Sequence, residues 1–337
     1  MLLSSALVVG IALATLTSAA PLGNGDSTLW AHVQSPPAAL VFVPKEESRF
    51  EFKTYEIWAQ TCRPRGKSGQ VPLIVGIHGI NFDHSYWEFG YSKDYNFIEA
   101  ANKAGYAVLT YDRLGVGQSD KPDGLEVVQS STEVEILHQI IKRSRESRQY
   151  SKVLGIGHSF GAIQLTGIAA RYPTDLDAVI LTGYTPSMAS VGMSFTGWYR
   201  HWRKNNQIWL DSSYLGTGSP SADRFAFFAD GFYDEADSYL GEFLTIAEPV
   251  SKPAPEYKGH VFVVTGEKDL IFCGGNCLQK PARASGDTLL DDTKTFYPNA
   301  ASFSSYVPPG AGHALFAHHH TDETIDRIIA WIANLGM

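Results

Sequence analysis

Short apolar runs recur along the chain, and nearly continuous runs of this kind are typical of parallel β-strands that are covered on both faces. Two segments near the start, residues 40–43 and 50–58, instead alternate apolar and polar positions. That alternation predicts half-exposed antiparallel strands. The predicted parallel strands are residues 72–78, 107–112, 152–157, 178–182 and 261–265, with a final strand at 303–307.

Helical periodicity occupies the stretches between these runs. Residues 133–145 carry apolar side chains at positions i, i+3 and i+7, and residues 97–103 and 160–171 are two further candidates. The last predicted helix covers residues 321–335, with Thr321 as its N-cap. This alternation of strands and helices predicts an α/β fold, with a doubly wound, mostly parallel sheet and helices on both faces.

The alternation breaks once, between residues 187 and 258. Fourteen of these 72 residues are Phe, Trp or Tyr, whereas aromatic residues make up 12% of the whole chain. A long segment inserted into a compact domain is usually functional, so we interpret residues 187–258 as a helical lid and residues 21–186 and 259–337 as the α/β core. An enlarged part of the main core is the alternative. The lid residues expected to contact substrate are Trp198, Tyr199, Trp202 and Phe228.

The first 20 residues contain no charged side chain and are apolar from Leu2 to about Leu16. This apolar stretch is shorter than the ~20 residues that a membrane-spanning helix needs, and the small residues at 18–20 suit a signal peptidase. We therefore expect residues 1–20 to be a cleaved signal peptide and the mature protein to be secreted without a stable membrane span. An uncleaved membrane anchor is the alternative.

Composition and charge narrow the class of protein. Hydrophobic residues make up 44% of the chain and charged residues 18%, which fits a packed core and excludes a disordered chain or a coiled coil. The 27 basic and 35 acidic residues give a net charge of −8 without a basic stripe, which argues against nucleic-acid binding. The adjacent histidines at 318–320 point in divergent directions, so we expect a solvated turn there and no metal ion.

Residues 157–161 have the sequence G-H-S-F-G, which matches the G-x-S-x-G pattern of a nucleophile elbow. A predicted strand ends at Gly157 and a predicted helix begins at Phe160, which is the context that this pattern requires. The small flanking residues permit the sharp turn that lifts a serine hydroxyl clear of the sheet. Ser159 is therefore the candidate nucleophile, and we interpret His158 as a packing neighbour rather than a second base.

A serine hydroxyl is a good nucleophile only beside a base, and the base needs an acid that orients it. His313 lies in a glycine-containing turn after the final predicted strand, and Asp269 lies just past the end of the strand at 261–265. The predicted catalytic triad is therefore Ser159, Asp269 and His313, in that order along the chain. Glu267 is the alternative acid.

Acyl transfer also requires N–H donors for the oxyanion that develops on the substrate. We expect one donor from the backbone of Phe160, next to the nucleophile, and the other from Ile80, in the loop after the strand at 72–78. Gly79 lets that loop approach a substrate closely. A purely structural glycine turn is the alternative.

Together these motifs resemble the α/β-hydrolase superfamily, in the lid-bearing branch that contains lipases, esterases and peptidases. The resemblance covers about residues 40–335. It depends on His78-Gly79, a D-R-x-G-x-G-x-S stretch at 112–119, the elbow at 157–161, Asp269 and His313. It implies that the Asp and Arg of that stretch are structural. Relatives with Asp at the elbow are epoxide hydrolases and dehalogenases, and Ser159 argues against both.

The resemblance implies a serine hydrolase that works through an acyl-enzyme without a cofactor, and it does not choose between ester, lactone, thioester and amide. Together with the signal-peptide pattern and the aromatic lid, it leads us to predict a secreted enzyme that cleaves a carboxylic ester or lactone of a small apolar molecule. A natural-product tailoring hydrolase is one alternative, and a non-catalytic ligand-binding relative is another. A third alternative is a proline-iminopeptidase-like peptidase, whose substrate amino group would need an acidic anchor in the lid. The acidic lid residues are Asp230, Asp234, Glu235 and Asp237.

The same fold implies a pairing among the three cysteines. Cys62 would lie on the connection into the bottom of the first parallel strand, whereas Cys273 and Cys277 would follow Asp269 at the opposite, catalytic edge. A bond across the sheet would exceed the ~7 Å limit on the Cα–Cα distance of a disulfide. We therefore expect a Cys273–Cys277 bond that stiffens the Asp269 loop and leaves Cys62 outside it.

Overall fold

The structure is a computed structural model, and it describes residues 53–80, 82–88, 93–124, 127–186, 252–281, 284–318 and 321–337. Some predictions lie outside these described residues. They are the signal peptide at 1–20, the strand at 40–43, the lid residues Trp198, Tyr199, Trp202 and Phe228, and the acidic lid residues between 230 and 237.

A seven-stranded sheet lies at the centre of the described residues. Its strands are β1 (Ala59–Cys62), β2 (Val71–Ile77), β3 (Ala107–Tyr111), β4 (Tyr150–His158), β5 (Ala178–Thr182), β6 (His260–Val264) and β7 (Ser302–Tyr306). They follow one another across the sheet in the order β1-β3-β2-β4-β5-β6-β7. Strand β1 pairs antiparallel with β3, and the other pairs are parallel. The predicted mostly parallel sheet is therefore confirmed.

Helices cover both faces of this sheet. They are α1 (Phe97–Ala104), α2 (Ser130–Glu146), α3 (Phe160–Arg171), α4 (Leu270–Cys273) and α5 (Thr321–Asn334), with 3₁₀ helices at His84–Trp87, Lys93–Tyr95, Leu289–Phe296 and Leu315–Ala317. Buried side chains of α2 and α3 join one apolar cluster with Val75, and those of α1 and α5 join another with Ile74. Because successive strand residues point to opposite faces, the two clusters lie on opposite sides of the sheet. Among the described helices, none combines the length and apolar character that a membrane span requires.

The antiparallel strand predicted at residues 50–58 is wrong for residues 53–58, the part that the structure describes, because these residues are not in a strand. The antiparallel strand β1 begins only at Ala59. The backbone of this part bonds to the loop after β3 instead. The N–H of Glu56 donates to the Asp120 carboxylate over 2.7 Å, and the N–H of Trp58 donates to the Ser119 hydroxyl over 3.0 Å. The backbone N–H groups of Asp112 and Asp120 donate in return to the Trp58 and Glu56 carbonyls over 3.0 and 2.8 Å. Backbone and side-chain bonds from that loop therefore hold the segment together.

Two further segment ends differ from the predictions. Thr321 already belongs to α5, and its hydroxyl has no hydrogen-bond partner among the described residues, so its predicted N-cap role is wrong. At the end of the segment interpreted as a lid, Ala254 and Tyr257 are buried in the core, and the Ala254 N–H donates to the Phe296 carbonyl over 2.7 Å. Residues 252–258 therefore pack with the core, and the lid interpretation of the preceding residues stays a prediction.

Strand β4 lies in the middle of the sheet, and α3 packs closely against it. A Cβ atom at Gly155 would lie 2.5 Å from Cδ2 of Leu165 in α3, which is far inside contact distance. Glycine at this position therefore lets α3 lie against the strand that leads into it. The carboxyl ends of the parallel strands meet at one edge of the sheet, which is where open α/β sheets bind their ligands.

Candidate active site

Ser159 occupies a sharp turn between β4 and α3. Its backbone has φ 53° and ψ −114°, a strained conformation for a residue with a side chain. A Cβ atom at Gly157 would lie 2.4 Å from the Gly161 carbonyl oxygen, and one at Gly161 would lie 2.2 Å from the Ile77 carbonyl oxygen. Only glycine fits at both positions, so the G-x-S-x-G spacing is a packing requirement of this turn.

The turn places Ser159 directly before the N-terminus of α3. The N–H groups of Ala162 and Ile163 donate to the Ser159 carbonyl over 3.0 and 3.1 Å, so helical bonding begins there. The N–H groups of Phe160 and Gly161 precede these bonds and have no partner within the helix. These donors and the partial positive charge of the helix N-terminus lie beside the Ser159 side chain, where they favour an anion.

His313 lies in the loop after β7, and its ring is fully buried. Its Nε2 atom is 2.9 Å from the Ser159 Oγ. The N–H of Gly312 donates to Nε2 of His318 over 3.0 Å, and the N–H of Lys268 donates over 2.8 Å to the carbonyl of the residue before Gly312. These two bonds hold the histidine loop against its own downstream residues and against the loop after β6.

Asp269 lies in the loop after β6 and is also fully buried. Its Oδ2 atom is 2.7 Å from Nδ1 of His313, and its Oδ1 atom accepts from the N–H of Phe272 over 2.9 Å. Glu267, the alternative acid, instead pairs with Lys268 over 2.6 Å. Asp269 is therefore the carboxylate that reaches the histidine.

A disulfide bond joins Cys273 and Cys277 at the end of α4, which is the pairing that the resemblance implied. The N–H of Cys277 donates to the Glu267 carbonyl over 2.9 Å. The covalently closed loop is thereby tied to the backbone two residues before Asp269. Cys62 is the last residue of β1 and lies outside this bond.

The hydrogen bonds assign the protons of this cluster. An ionised Asp269 carboxylate only accepts, so Nδ1 of His313 carries the proton and Nε2 accepts from the Ser159 hydroxyl. The imidazole is therefore placed to take the hydroxyl proton, and the carboxylate is placed to stabilise the imidazolium that would form. Ser159 keeps 9% of its surface exposed, so of the three residues it is the one that a substrate can reach.

The loop after β2 runs against the nucleophile. A Cβ atom at Gly79 would lie 3.0 Å from the Ser159 Cβ, and the next residue, Ile80, is buried. His78 is fully buried, its Nδ1 lies 2.9 Å from the Gly79 carbonyl oxygen, and its Nε2 accepts from the Arg113 N–H over 3.1 Å. Burial, and then the nearby Arg113 guanidinium, lower the pKa of His78 to about 3, so this ring is neutral at physiological pH.

Arg113 is fully buried behind the elbow. Its Cζ lies 4.8 Å from the centre of the Phe160 ring, and its Nη2 donates to the Gly79 carbonyl over 3.5 Å. Its Nη1 lies 3.8 Å from an oxygen of Glu133, which is equally buried. The sequence analysis missed Glu133. The signal in the sequence was a charged residue four positions before Leu137, on the apolar face of α2.

A second polar cluster surrounds Asp112, directly after β3. One carboxylate oxygen accepts from the backbone N–H of His84 over 3.0 Å and lies 2.6 Å from its Nδ1, and the other accepts from the Gln118 N–H over 2.9 Å. Asp83 contributes a carboxylate within 4.8 Å of this pair, and that carboxylate accepts from the Ser85 N–H over 2.8 Å. Hydrogen bonds of this kind fit the structural role that the resemblance implied for Asp112.

Two other histidines lie near His313. The His158 ring is stacked on Tyr86 with 4.5 Å between the ring centres. Burial, and then the electrostatic effect of the neighbouring His313, lower the pKa of His158 well below its usual value, which agrees with a neutral packing neighbour. His318 is only 3% exposed, so the solvated turn predicted there is wrong for this residue. The reason is that its Nε2 is the acceptor for the Gly312 N–H.

The amino-acid sequence is similar to a known protein family and, over shorter stretches, to two characterised proteins. Residues 74–327 match the alpha/beta hydrolase family. A 119-residue stretch is 32% identical to epoxide hydrolase 4 of Mus musculus, covering 35% of this chain and 30% of the mouse protein. A 138-residue stretch is 27% identical to proline iminopeptidase of Clostridium botulinum, covering 41% of this chain and 42% of that protein. The matched stretches therefore span less than half of either relative.

Among solved structures, bromoperoxidase from Bacillus anthracis is similar, with a TM-score of 0.59 and 19% sequence identity. The similarity covers 83% of this chain and 96% of the bromoperoxidase. At this low identity, the likeness establishes a shared fold. It agrees with the order of strands and helices described above.

Proposed function

This chain belongs to the alpha/beta hydrolase family, and from this premise we propose that it is a secreted serine hydrolase. In this proposal it cleaves the carboxylic ester or lactone of a small apolar molecule through an acyl-enzyme. Ser159 is the nucleophile, His313 the general base and Asp269 the orienting acid. The observation that carries the proposal is the continuous hydrogen-bonded chain from Ser159 to His313, 2.9 Å, and from His313 to Asp269, 2.7 Å.

The reaction has two halves that use the same histidine. In the first half, the Ser159 Oγ attacks the carbonyl carbon of the substrate while Nε2 of His313 takes the hydroxyl proton, which it then gives to the leaving alcohol. In the second half, the same nitrogen takes a proton from water as this water attacks the acyl ester, and it gives that proton to the Ser159 Oγ as the acid is released. Asp269 stabilises the imidazolium in both halves.

We assign the two oxyanion donors to the backbone N–H groups of Phe160 and Ile80. Phe160 is the first residue of α3, where helical geometry leaves the N–H without a partner. Gly79 brings the backbone before Ile80 against Ser159. In comparable enzymes, removal of one such donor lowers kcat by about 10²–10³-fold, so both assignments have measurable consequences.

The proposals on location and substrate depend on other features. The signal-peptide pattern at 1–20 suggests secretion, and the Cys273–Cys277 bond supports it because disulfides persist mainly in oxidising compartments. The apolar substrate is proposed from the aromatic content of the predicted lid at 187–258, because large aromatic side chains form apolar binding surfaces. The lid residues proposed to contact it are Trp198, Tyr199, Trp202 and Phe228.

The partial similarity to an epoxide hydrolase does not extend to a suitable nucleophile. Attack of a serine hydroxyl on an epoxide carbon would leave an ether, which has no carbonyl group for water to attack. A hydrolysable ester intermediate on an epoxide requires a carboxylate nucleophile, and this chain has Ser159 at the elbow. An acyl substrate therefore fits Ser159 better than an epoxide does.

A peptidase of the proline-iminopeptidase type is the second candidate function, because part of the chain is 27% identical to such an enzyme. It would use the same three side chains, since both reactions pass through an acyl-enzyme. It would also need an acidic anchor for the substrate amino group. The acidic residues of the predicted lid that could supply it are Asp230, Asp234, Glu235 and Asp237.

A fluorophosphonate probe tests the catalytic serine directly, because it reacts rapidly only with an activated hydroxyl. We expect labelling of the wild-type protein and none of Ser159→Ala. Ser144→Ala is a matched control, since Ser144 is also a buried serine but its hydroxyl donates to the Ile140 carbonyl over 2.8 Å. Failure of the wild type to react, or continued labelling of Ser159→Ala, would refute the proposal.

Two substrate series separate the candidate functions. Nitrophenyl esters of apolar acids report esterase activity, and aminoacyl anilides with a free amino group report the peptidase. Faster cleavage of the esters supports the proposed function, and faster cleavage of the prolyl anilide supports the peptidase. A wider screen of lactones and natural-product esters would reveal a tailoring hydrolase.

A further inference from the structure

We propose that His78 and Arg113 are positioning residues that hold the Gly79–Ile80 peptide in the orientation of an oxyanion donor. This inference rests on the proposed function, since it concerns the donor assigned to Ile80. Three hydrogen bonds carry it, two between the loops after β2 and β3 and one within the loop after β2. They determine where the proton of His78 lies and which way the Gly79 carbonyl points.

The position of the His78 proton follows from its two partners. The backbone N–H of Arg113 can only donate, so the His78 Nε2 that receives it over 3.1 Å is unprotonated. The proton therefore lies on Nδ1, which is 2.9 Å from the Gly79 carbonyl oxygen, an atom that can only accept. The Arg113 N–H, from the loop after β3, thereby makes the His78 ring a donor to the Gly79 carbonyl.

The orientation of the peptide follows from the same bonds. The Gly79 carbonyl accepts from His78 and also from Nη2 of Arg113 over 3.5 Å. In a planar trans peptide the C=O and the following N–H point in opposite directions. The N–H of Ile80 therefore points away from His78 and Arg113. Glycine has an unusually wide choice of backbone conformations, and these two donors select the one in which the Gly79 carbonyl faces them.

Burial makes this arrangement rigid. His78, Arg113 and Glu133 have no solvent exposure, and Glu133 supplies the counter-charge for the guanidinium. The Arg113 guanidinium also lies over the ring of Phe160, so a single side chain contacts both segments that supply the assigned oxyanion donors. The pKa of His78, about 3, keeps its ring neutral and its donor role unchanged at physiological pH.

Two substitutions separate the two hydrogen bonds of His78. Asparagine places its amide nitrogen near the position of Nδ1, so His78→Asn keeps a donor for the Gly79 carbonyl. Glutamine places its amide oxygen near the position of Nε2, so His78→Gln keeps an acceptor for the Arg113 N–H and loses the donor to Gly79. We expect His78→Gln to lower kcat on a nitrophenyl ester by about 10²-fold with KM changed by less than about twofold. His78→Asn should stay within about threefold of the wild-type kcat.

His138→Gln is the matched control. His138 lies on α2, and its Nδ1 is 2.6 Å from the Asp175 carboxylate, so the substitution removes a histidine hydrogen bond away from the proposed site. We expect its kcat and KM to equal those of the wild type. A purely structural role of His78 would lower the melting temperature and the fraction of molecules that a fluorophosphonate titrates, with no difference between Asn and Gln. Equal kcat losses in both His78 variants, or a wild-type kcat in His78→Gln, would overturn the inference.

Two measurements decide the inference without catalysis. In a crystal structure of His78→Gln we expect the Gly79 carbonyl to have turned from its wild-type direction, and an unchanged peptide would overturn the inference. In ¹⁵N spectra of the histidine-labelled wild type, His78 should stay neutral with its proton on Nδ1 from about pH 5 to 8; titration in that range or a proton on Nε2 would overturn it. Absence of fluorophosphonate labelling in the wild type would instead refute the proposed function and leave these two readouts intact.

Discussion

Two turns at the same edge of the sheet accommodate unusual backbone conformations in different ways. In the turn after β3, the positive φ angles belong to glycines, 81° at Gly115 and 54° at Gly117. In the turn after β4, the positive φ of 53° belongs to Ser159, whereas Gly157 and Gly161 are required by close contacts. The positive φ angles thus belong to glycines, which adopt them without strain, in one turn and to the proposed nucleophile, which is strained by them, in the other.

The two turns also use their polar groups differently. Asp112 directs one carboxylate oxygen into its own turn, to the Gln118 N–H, and the other to the backbone and ring of His84. Its carbonyl accepts from the Ser119 hydroxyl over 2.6 Å. Ser159 directs its hydroxyl out of its turn, to His313, which is 154 positions away in the sequence. The hydrogen bonds of Asp112 therefore stabilise the turn after β3. The elbow instead holds Ser159 in a strained backbone conformation that directs its hydroxyl toward His313.

The largest expected effect is on catalysis at the elbow. Ser159→Ala should lower kcat by about 10⁶-fold, the scale seen when the nucleophile of a triad is removed. Its unfolding free energy should change by no more than about 1 kcal/mol, since the alanine loses one hydrogen bond and keeps the same backbone. Ester hydrolysis and urea unfolding measure the two quantities. A large loss of stability in this variant would make Ser159 a structural residue like Asp112.

The next largest effect is on stability in the turn after β3. Asp112→Ala should lower the unfolding free energy by about 3 kcal/mol, because it removes a fully buried carboxylate that accepts from two backbone N–H groups and pairs with the His84 ring. Asp112→Asn keeps one carbonyl acceptor and should lose less. Urea unfolding gives the stabilities, and the kcat per folded molecule should change far less than in Ser159→Ala. An Asp112→Ala protein as stable as the wild type would contradict this account of the turn.

A smaller and opposite pair of effects should come from the backbone alone. Ser159→Gly removes the strain of a side chain at positive φ and should raise the unfolding free energy by about 1 kcal/mol. Gly115→Ala introduces such a strain and should lower it by about 1–2 kcal/mol. Thermal or urea unfolding of the two variants measures both. If both substitutions raised the unfolding free energy, or both lowered it, the positive φ angles would not explain a difference in strain between the two turns.

Features that depend on local pattern could be predicted from the sequence. Strand β5 and helix α3 have the bounds that their apolar runs and periodicity indicated, because hydrophobic period is a local property. Ser159, Asp269 and His313, chosen for their places after strand ends, do lie within hydrogen-bond distance. The fold rule that carboxyl ends of parallel strands meet at one edge made that possible.

Contacts between distant residues that no motif or fold rule connects could not be predicted. The pairs Arg113–Glu133 and His84–Asp112 join a loop to a helix or a 3₁₀ turn, and no motif or spacing connects their members. The divergent directions of three adjacent histidines predict a solvated turn at 318–320, whereas the fold buries His318 against the loop of His313. Such contacts arise only from packing of the whole domain.

The smallest expected effect is a pH dependence of stability that comes from the His84–Asp112 pair in the turn after β3. Burial acts to lower the pKa of His84, but the hydrogen bond and charge of Asp112 outweigh it, so this pKa lies above 6.5. Burial acts to raise the pKa of Asp112, but the hydrogen bond and charge of His84 outweigh it, so that pKa lies below 3.8. The histidine's contribution to stability is therefore complete below 6.5 and lost as pH rises through its raised pKa. The carboxylate's contribution is complete above 3.8 and lost as pH falls through its lowered pKa.

The stabilisation by this pair should be largest between those two ordinary values, 3.8 and 6.5. His84→Gln tests it, because the variant keeps the backbone N–H that bonds to Asp112. The difference in melting temperature between wild type and variant should be greatest in this pH window and should shrink above it. The effect is small because 19% of the His84 side chain is exposed and solvent screens the pair. A difference that is independent of pH would mean that the ion pair adds nothing to the turn, whose stability would then come from the backbone bonds to Asp112 alone.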